Sequence, residues 1–182
     1  ATRVETMTLA TTEEVMCLFE EHVSLAALGV DTLACWSSGR SGWRPADLWL
    51  RERYPEVRHS VVSANALSGS MALNGMAAML WARDRHCGTL ITETHPKVLH
   101  YQMTGLRYDY AAHPEAMDTA LAGALGVPVS PGNDHEWDAA LSAYAALEAL
   151  AGRWTHDLRD LEAGIDERCV APCMGTHYYW PE

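Results

Sequence analysis

Lysine is almost missing: Lys97 is the one lysine among thirteen basic residues, set against twenty-four acids, for a formal net charge of −11 over 182 residues. So acidic a balance works against strong non-specific nucleic-acid binding, because that affinity comes largely from neutralising phosphates. No apolar run reaches the eighteen or more residues of a membrane span. The amino terminus lacks the basic start and apolar stretch of a secretory leader. The expectation is a soluble, cytoplasmic protein with no membrane partner. The cysteines are few and odd in number (Cys17, Cys35, Cys87, Cys169, Cys173) and scattered, so a disulfide framework is not expected. Internal repeats and low-complexity tracts are also lacking. With 48% hydrophobic and 20% charged residues, the chain suits one domain over 1–182 with a real core.

Arg3 to Leu9 alternates apolar and polar residues and predicts a strand. Thr11 or Thr12 then caps a helix to about Val23, with Glu13 and Glu14 in its first turn. Leu25 to Cys35 is a near-continuous apolar run that predicts a buried, parallel strand carrying Asp31 in its middle. A carboxylate there costs several kcal/mol unless it is paired, hydrogen-bonded, protonated or metal-bound. The alternative is a strand that ends at Val30, with Asp31 capping the turn that follows.

Ser37 to Gly42 is a loop by composition, and Pro45 suits the first turn of a helix over Ala46 to Tyr54 that Pro55 ends. An extended piece follows around Ser60 to Ser63, then a Met-rich helix over Ser68 to Ala82, with Met71, Met76 and Met79 as core filler. Gly88 to Thr94 is a second buried strand in which Glu93 shares the face of Ile91. His95 is expected to serve the strand-to-helix turn or to support other groups rather than to ligate. Pro114 to Leu125 is a helix, and 126–132 a Pro/Gly linker.

Asn133-Asp134-His135-Glu136-Trp137-Asp138 opens a long Ala-rich helix that closes near Gly152. Asn133 or Asp134 is the N-cap and Glu136 complements the helix dipole. Asp134 and Asp138, four apart, lie on one face, and Asp138 falls beyond the usual capping positions.

Asp31, Glu93 and the Asp134/Asp138 pair thus come from three separate elements. Carboxylates that converge repel one another unless cations neutralise them, and hard oxygen donors suit Mg²⁺ or Mn²⁺. Such a set underlies two-metal phosphodiester chemistry. The expected site has Asp31, Glu93 and Asp138 as catalytic residues, and the same three with Asp134 as metal ligands. Between Arg40 and Arg58 stand five arginines against three acids. Arg40, Arg44 and Arg51 are expected to border the site as a positive lane for phosphates; the bland alternative is a mixed-charge helix on a solvated face. Cys169-x₃-Cys173-x₃-His177 loosely matches zinc spacing. A fourth ligand would have to come from Cys87 or His86, far along the chain, so no structural zinc is expected, and the aromatic end Tyr178-Tyr179-Trp180 is expected to pack on the domain.

Leu28-Gly-Val-Asp-Thr-Leu33, Gly42-Trp-Arg-Pro-Ala-Asp-Leu-Trp-Leu-Arg-Glu-Arg-Tyr-Pro55, Asn74-Gly-Met76, Ile91-Thr-Glu-Thr-His-Pro96, Asn133-Asp-His-Glu-Trp-Asp-Ala-Ala140 and Tyr178-Tyr-Trp-Pro-Glu182 together resemble an uncharacterised family of predicted nucleases in the ribonuclease H-like superfamily. The resemblance implies an α/β fold with a mixed central sheet and helices on both faces. It implies that Asp31 is the acid after the fourth strand, Glu93 the acid of a Glu-x-x-Pro-like motif, and Asp134 or Asp138 the acid of the last helix. It also implies a nucleic-acid substrate and a divalent metal. One departure stands out: the superfamily core begins with a hairpin that supplies an Asp in a Gly-x-Asp setting, and this chain is expected to start at what resembles the third strand, either because the sequence is a piece of a longer protein or because the hairpin is absent. A non-catalytic binding or interaction protein on the same scaffold is the alternative.

Overall fold

The computed structural model describes residues 3–66, 69–172 and 174–182. Ser68, the expected start of the Met-rich helix, and Cys173, the middle of the zinc-like spacing, lie outside the described residues. Local chemistry sets the helix starts. Helix α1 (Thr12–Glu20) opens on a capping box, in which the Thr11 side chain accepts from the Glu14 N–H and the Glu14 carboxylate accepts from the Thr11 N–H. Proline stands at the head of α2 (Pro45–Arg53), α4 (Pro96–Thr104) and α5 (Pro114–Leu125), where its missing N–H costs nothing. Gly105 and Gly126, both at φ 71°, stop α4 and α5 in the left-handed conformation. The remaining helices are α3 (Gly69–Arg85) and α6 (Asp134–Leu150), the latter capped by Asn133, whose side chain accepts from the Glu136 N–H at 2.9 Å.

Strands β1 (Ala27–Val30) and β3 (Leu90–Glu93) pair in parallel, with Val30 opposite Glu93. Strand β6 (Thr176–His177) joins the far side of β3, also parallel, so the sheet order is β1-β3-β6. Two short antiparallel ribbons stand apart from it: β2 (Trp36–Ser37) with β5 (Cys169–Val170), and β4 (His156–Asp157) with β7 (Tyr179–Trp180). The architecture is α/β with helices on both faces of the sheet. On one face Met76 and Met79 of α3 pack with Leu28, Val30 and Ile91. On the other, α6 comes so near β1 that a Cβ at Gly29 would lie 1.8 Å from the Ser142 carbonyl oxygen. The main core gathers Leu50, Val98, Leu121, Trp137, Leu141 and Trp180.

Three expectations are corrected. Arg3 to Leu9 forms no strand: alternation supplies β propensity, but a strand needs a backbone partner. This arm is held instead through Thr8, which donates to Glu136 at 2.8 Å and accepts from Asn133 at 3.0 Å. The central sheet is all-parallel rather than mixed, since its third strand comes from the carboxyl tail. The run Leu25 to Cys35 yields only four residues of strand and bends at Asp31. Beyond the bend the Ala34 N–H turns to the Glu93 carboxylate at 2.9 Å, and the Thr32 hydroxyl donates to the Met71 carbonyl at 3.1 Å, so this segment is held through side chains rather than by a ladder. The aromatic tail does pack on the domain: Trp180 is fully buried and donates to the Tyr54 hydroxyl at 2.9 Å. Among the described residues no helix is long and apolar enough to cross a membrane.

Candidate functional site

Parallel strands send their carboxyl ends to one side of a sheet, and residues that follow them form a crevice there. In this chain the residues after β1 and β3 line a cleft of about 210 Å³ whose walls include Asp31, Thr32, Ser60, Glu93, His95 and Lys97. Asp31 is the first residue past β1, at the mouth, open to solvent on one side and crowded by protein on the others. Burial raises its pKa to about 7, the like charge of Asp138 adds to the rise, and Lys97 opposes it. Asp138, in the second turn of α6, has its pKa raised by burial to about 6, with Tyr108 and Lys97 opposing. Its Oδ1 and the Tyr108 hydroxyl are buried without a partner of good hydrogen-bond geometry, although the two groups are close enough to influence each other.

Glu93 has a different fate. Its Oε1 accepts from Arg44 Nη2 at 2.6 Å, and its Oε2 accepts from Arg44 Nη1 and the Ala34 N–H, both at 2.9 Å. The same guanidinium donates to both oxygens of Asp47, at 2.8 and 2.6 Å. All three side chains are buried, and the two carboxylates raise the Arg44 pKa well above its ordinary value in spite of burial. This is a buried, bidentate ion cluster in which one permanent cation serves two acids and a net charge of about −1 remains.

The structure therefore brings Asp31 and Asp138 within electrostatic reach of each other and binds Glu93 to Arg44. Asp134, the exposed first residue of α6, accepts from the His135 N–H and acts on Asp138 and Tyr108 through its charge. Arg44 and Arg51 form no phosphate lane. Arg44 is committed to Glu93 and Asp47, and Arg51 donates to the carbonyls of Arg58 and Val61, both at 2.8 Å, with its guanidinium 4.7 Å over the Trp43 ring. Arg40 is exposed on the loop after β2.

Sequence patterns did not single out Lys97, Asp47 or Tyr108. The signal for Lys97 was its being the one lysine, and for Asp47 its place one turn after Arg44. His95 is the N-cap of α4 and a wall of the cleft. Burial lowers its pKa to about 4, so the ring is neutral and its Nε2–H donates to the Ser60 carbonyl at 3.1 Å.

Among the described residues no group of three or more His, Cys, Asp or Glu side chains is arranged to hold a metal. A donor set of two carboxylates fits Mg²⁺ or Mn²⁺ in the narrower way in which one or two protein carboxylates share the ion with water and substrate phosphate. It does not fit a closed cage or the paired ions expected from the sequence. No family model matches the chain, and neither the curated proteins nor the solved structures give a match.

Proposed function

We propose that the cleft holds one divalent cation between Asp31 and Asp138 and hydrolyses a phosphodiester of nucleic-acid type on a ribonuclease H-like scaffold. One observation carries this reading: Glu93 and Asp47 are paired with Arg44, whereas Asp31 and Asp138 have no bonded cation among the described residues. Their repulsion becomes affinity once a cation lies between them. The scaffold assignment is supported by an acid placed directly after a strand parallel to its neighbour and by a last long helix crossing both strands.

When bound, Mg²⁺ or Mn²⁺ would polarise a phosphoryl oxygen and make a coordinated water more acidic. Asp31 and Asp138 would hold it, and Asp31 must lose its proton to do so. Glu93 keeps its place as a support, fastening the turn beyond Asp31 through Ala34. Hydrolysis adds water across one P–O ester bond: the water oxygen joins phosphorus, the bond to the leaving alcohol breaks, and the products are a phosphomonoester, an alcohol and a proton.

Mn²⁺ titration followed by electron paramagnetic resonance, with hydrolysis of bis(p-nitrophenyl) phosphate as the activity readout, tests this. The expected result is one bound Mn²⁺ and Mn²⁺-dependent hydrolysis, both lost in Asp31→Asn and Asp138→Asn. The commitment of Glu93 to Arg44 favours a second reading, a non-catalytic binding protein on the same fold. Mn²⁺ binding without turnover would select it, and absence of Mn²⁺ binding would remove the metal from either reading.

A further inference from the structure

Helix α4 ends one turn after His100. Thr104 donates to the His100 carbonyl at 2.7 Å and accepts from the Leu106 N–H at 3.1 Å, and Gly105 takes the left-handed turn that stops the helix. The chain then runs through 106–113 to Pro114, the head of α5. Residues of α4, of this connection and of the first two turns of α5 together line a groove of about 510 Å³ that shares no wall residue with the cleft of Asp31. Leu106, Ala116, Met117 and Ala120 make its walls mostly apolar, and Leu106 is 64% exposed, so apolar surface stands open here. Small-molecule sites are built this way, at about 300–1,000 Å³, with apolar walls and a few polar groups that fix orientation.

The enclosed polar group of the groove is His100. Only 4% of its surface is exposed, because its ring stands edge-to-face on Trp137 and Tyr108, at 5.4 and 6.2 Å between centroids. Neither ring nitrogen bonds to protein among the described residues, and neither is fully sealed as Nδ1 of His95 is. The sliver of ring left uncovered is therefore its nitrogen-bearing edge, and the groove is the space that edge faces. Burial lowers the pKa of His100 from the ordinary 6.5, so at neutral pH the ring is uncharged, with one N–H and one bare nitrogen. Side-chain polar groups so enclosed are ordinarily bonded; here the partner has to come through the groove.

Charge narrows what that partner is. Arg107, Asp109 and His113 stand exposed at the rim. Arg107 has no ion pair among the described residues, and Asp109 accepts from the Ala112 N–H at 3.2 Å. One exposed cation and one exposed anion offset each other. The formal net charge of −11 disfavours an anionic ligand, and no buried carboxylate lines the groove to hold a cation. We propose that this groove is a binding site for an uncharged, largely apolar small molecule of the phenol or alcohol class, whose hydroxyl bonds His100 while its carbon skeleton lies on Ala116, Met117 and Ala120. A hydroxyl donates and accepts, so it suits either tautomer of the ring. The Met117 thioether favours an aromatic skeleton. Neither Asp31 nor Asp138 lines the groove, so the site is independent of the metal reading.

Equilibrium dialysis with 2-naphthol tests it, with naphthalene and 2-naphthoate as the matched hydrocarbon and anion, on wild type, His100→Phe and Ala116→Trp. His100→Phe keeps a ring against Trp137 and Tyr108 and removes both nitrogens. Ala116 is exposed, so a tryptophan there leaves the core untouched while it fills the groove. Thermal melts verify that both variants fold. The expected result is one saturable site for 2-naphthol, with 2-naphthoate weaker. His100→Phe lowers the 2-naphthol affinity by about fivefold to tenfold, the size of one hydrogen bond, and leaves naphthalene binding equal or tighter. Ala116→Trp abolishes binding of both. Equal responses of 2-naphthol and naphthalene to His100→Phe overturn the bond to His100, and 2-naphthoate binding tighter than 2-naphthol overturns the uncharged ligand. Absence of saturable 2-naphthol binding, or binding that survives Ala116→Trp, overturns the site itself, and this arm decides even where His100→Phe does not fold.

Discussion

Asp31 couples the cleft to pH. Its folded pKa, about 7, lies above the ordinary 3.8, so at intermediate pH the folded chain keeps a proton that the unfolded chain releases. The stability this confers is fully present below about pH 4 and is lost as pH rises through about 7. Asp31→Asn removes the loss. With the interaction reduced by solvent at the open side of the cleft, the variant is expected to melt roughly 2–4 °C above wild type on the alkaline side of that window, the effect of about 1 kcal/mol in a chain of this size, and to match it in acid. Thermal melts across the pH range check both the sign and the window. Arg44 gives the opposite lesson. Arg44→Ala leaves Glu93 and Asp47 buried with no cation, and a cost of about 3–5 kcal/mol in urea denaturation is expected. Arg44→Lys should recover only part of it, because an ammonium cannot serve two carboxylates bidentately.

At the scale of elements, the cleft depends on how closely α6 lies on β1. A Cβ at Gly29 would meet the Ser142 backbone 1.8 Å away, whereas one at Gly88 would meet nothing within 4 Å. Backbone cannot step aside as a flexible side chain can. Gly29→Ala is therefore expected to destabilise the fold by about 2 kcal/mol or more and to weaken Mn²⁺ binding, because Asp31 follows β1 and Asp138 rides on α6; Gly88→Ala should change neither. Urea melts paired with Mn²⁺ titrations of both variants read this out.

Elements whose cause is local were legible in the sequence. Pro45 and Pro114 marked helix starts, the Thr11 capping box fixed α1, and Asn133 led the long helix with Asp138 one turn inside it. Burial of Glu93 beside Ile91 followed from alternation. What pattern could not show was which distant groups meet. Arg44 and Glu93 are 49 residues apart; Glu93 looked like a site residue because an acid facing the core demands a partner, and Arg44 because an acidic protein needs a positive lane for phosphate, and each turned out to be the other's partner. The arm over Arg3 to Leu9 failed as a strand for a related reason, since propensity is a property of a segment and pairing a property of the fold. Likewise the third strand, two residues long in the tail, has no pattern to read.

The whole molecule sets the terms on which any anion approaches. With a formal net charge of −11, a polyanion meets repulsion over a range of about 10 Å at moderate salt, and a strand could bind tightly only along a continuous basic stripe. The two arginines nearest to forming one are turned inward, to Glu93 and Asp47 and to backbone carbonyls, which leaves Lys97 as the cation of the cleft. Each single-strand phosphate neutralised contributes about −0.7 to the slope of log affinity against log salt. One cation meets at most one phosphate, so oligonucleotide binding should be weak, with a slope of about −0.7 or shallower, and Lys97→Ala should bring that slope to zero or reverse its sign as added salt relieves the general repulsion. Fluorescence anisotropy with a labelled oligothymidylate over a series of salt concentrations measures it. A slope several times steeper, insensitive to Lys97, would mean that a basic surface elsewhere on the molecule receives the strand, and the acidic cleft would lose its place as the point of contact.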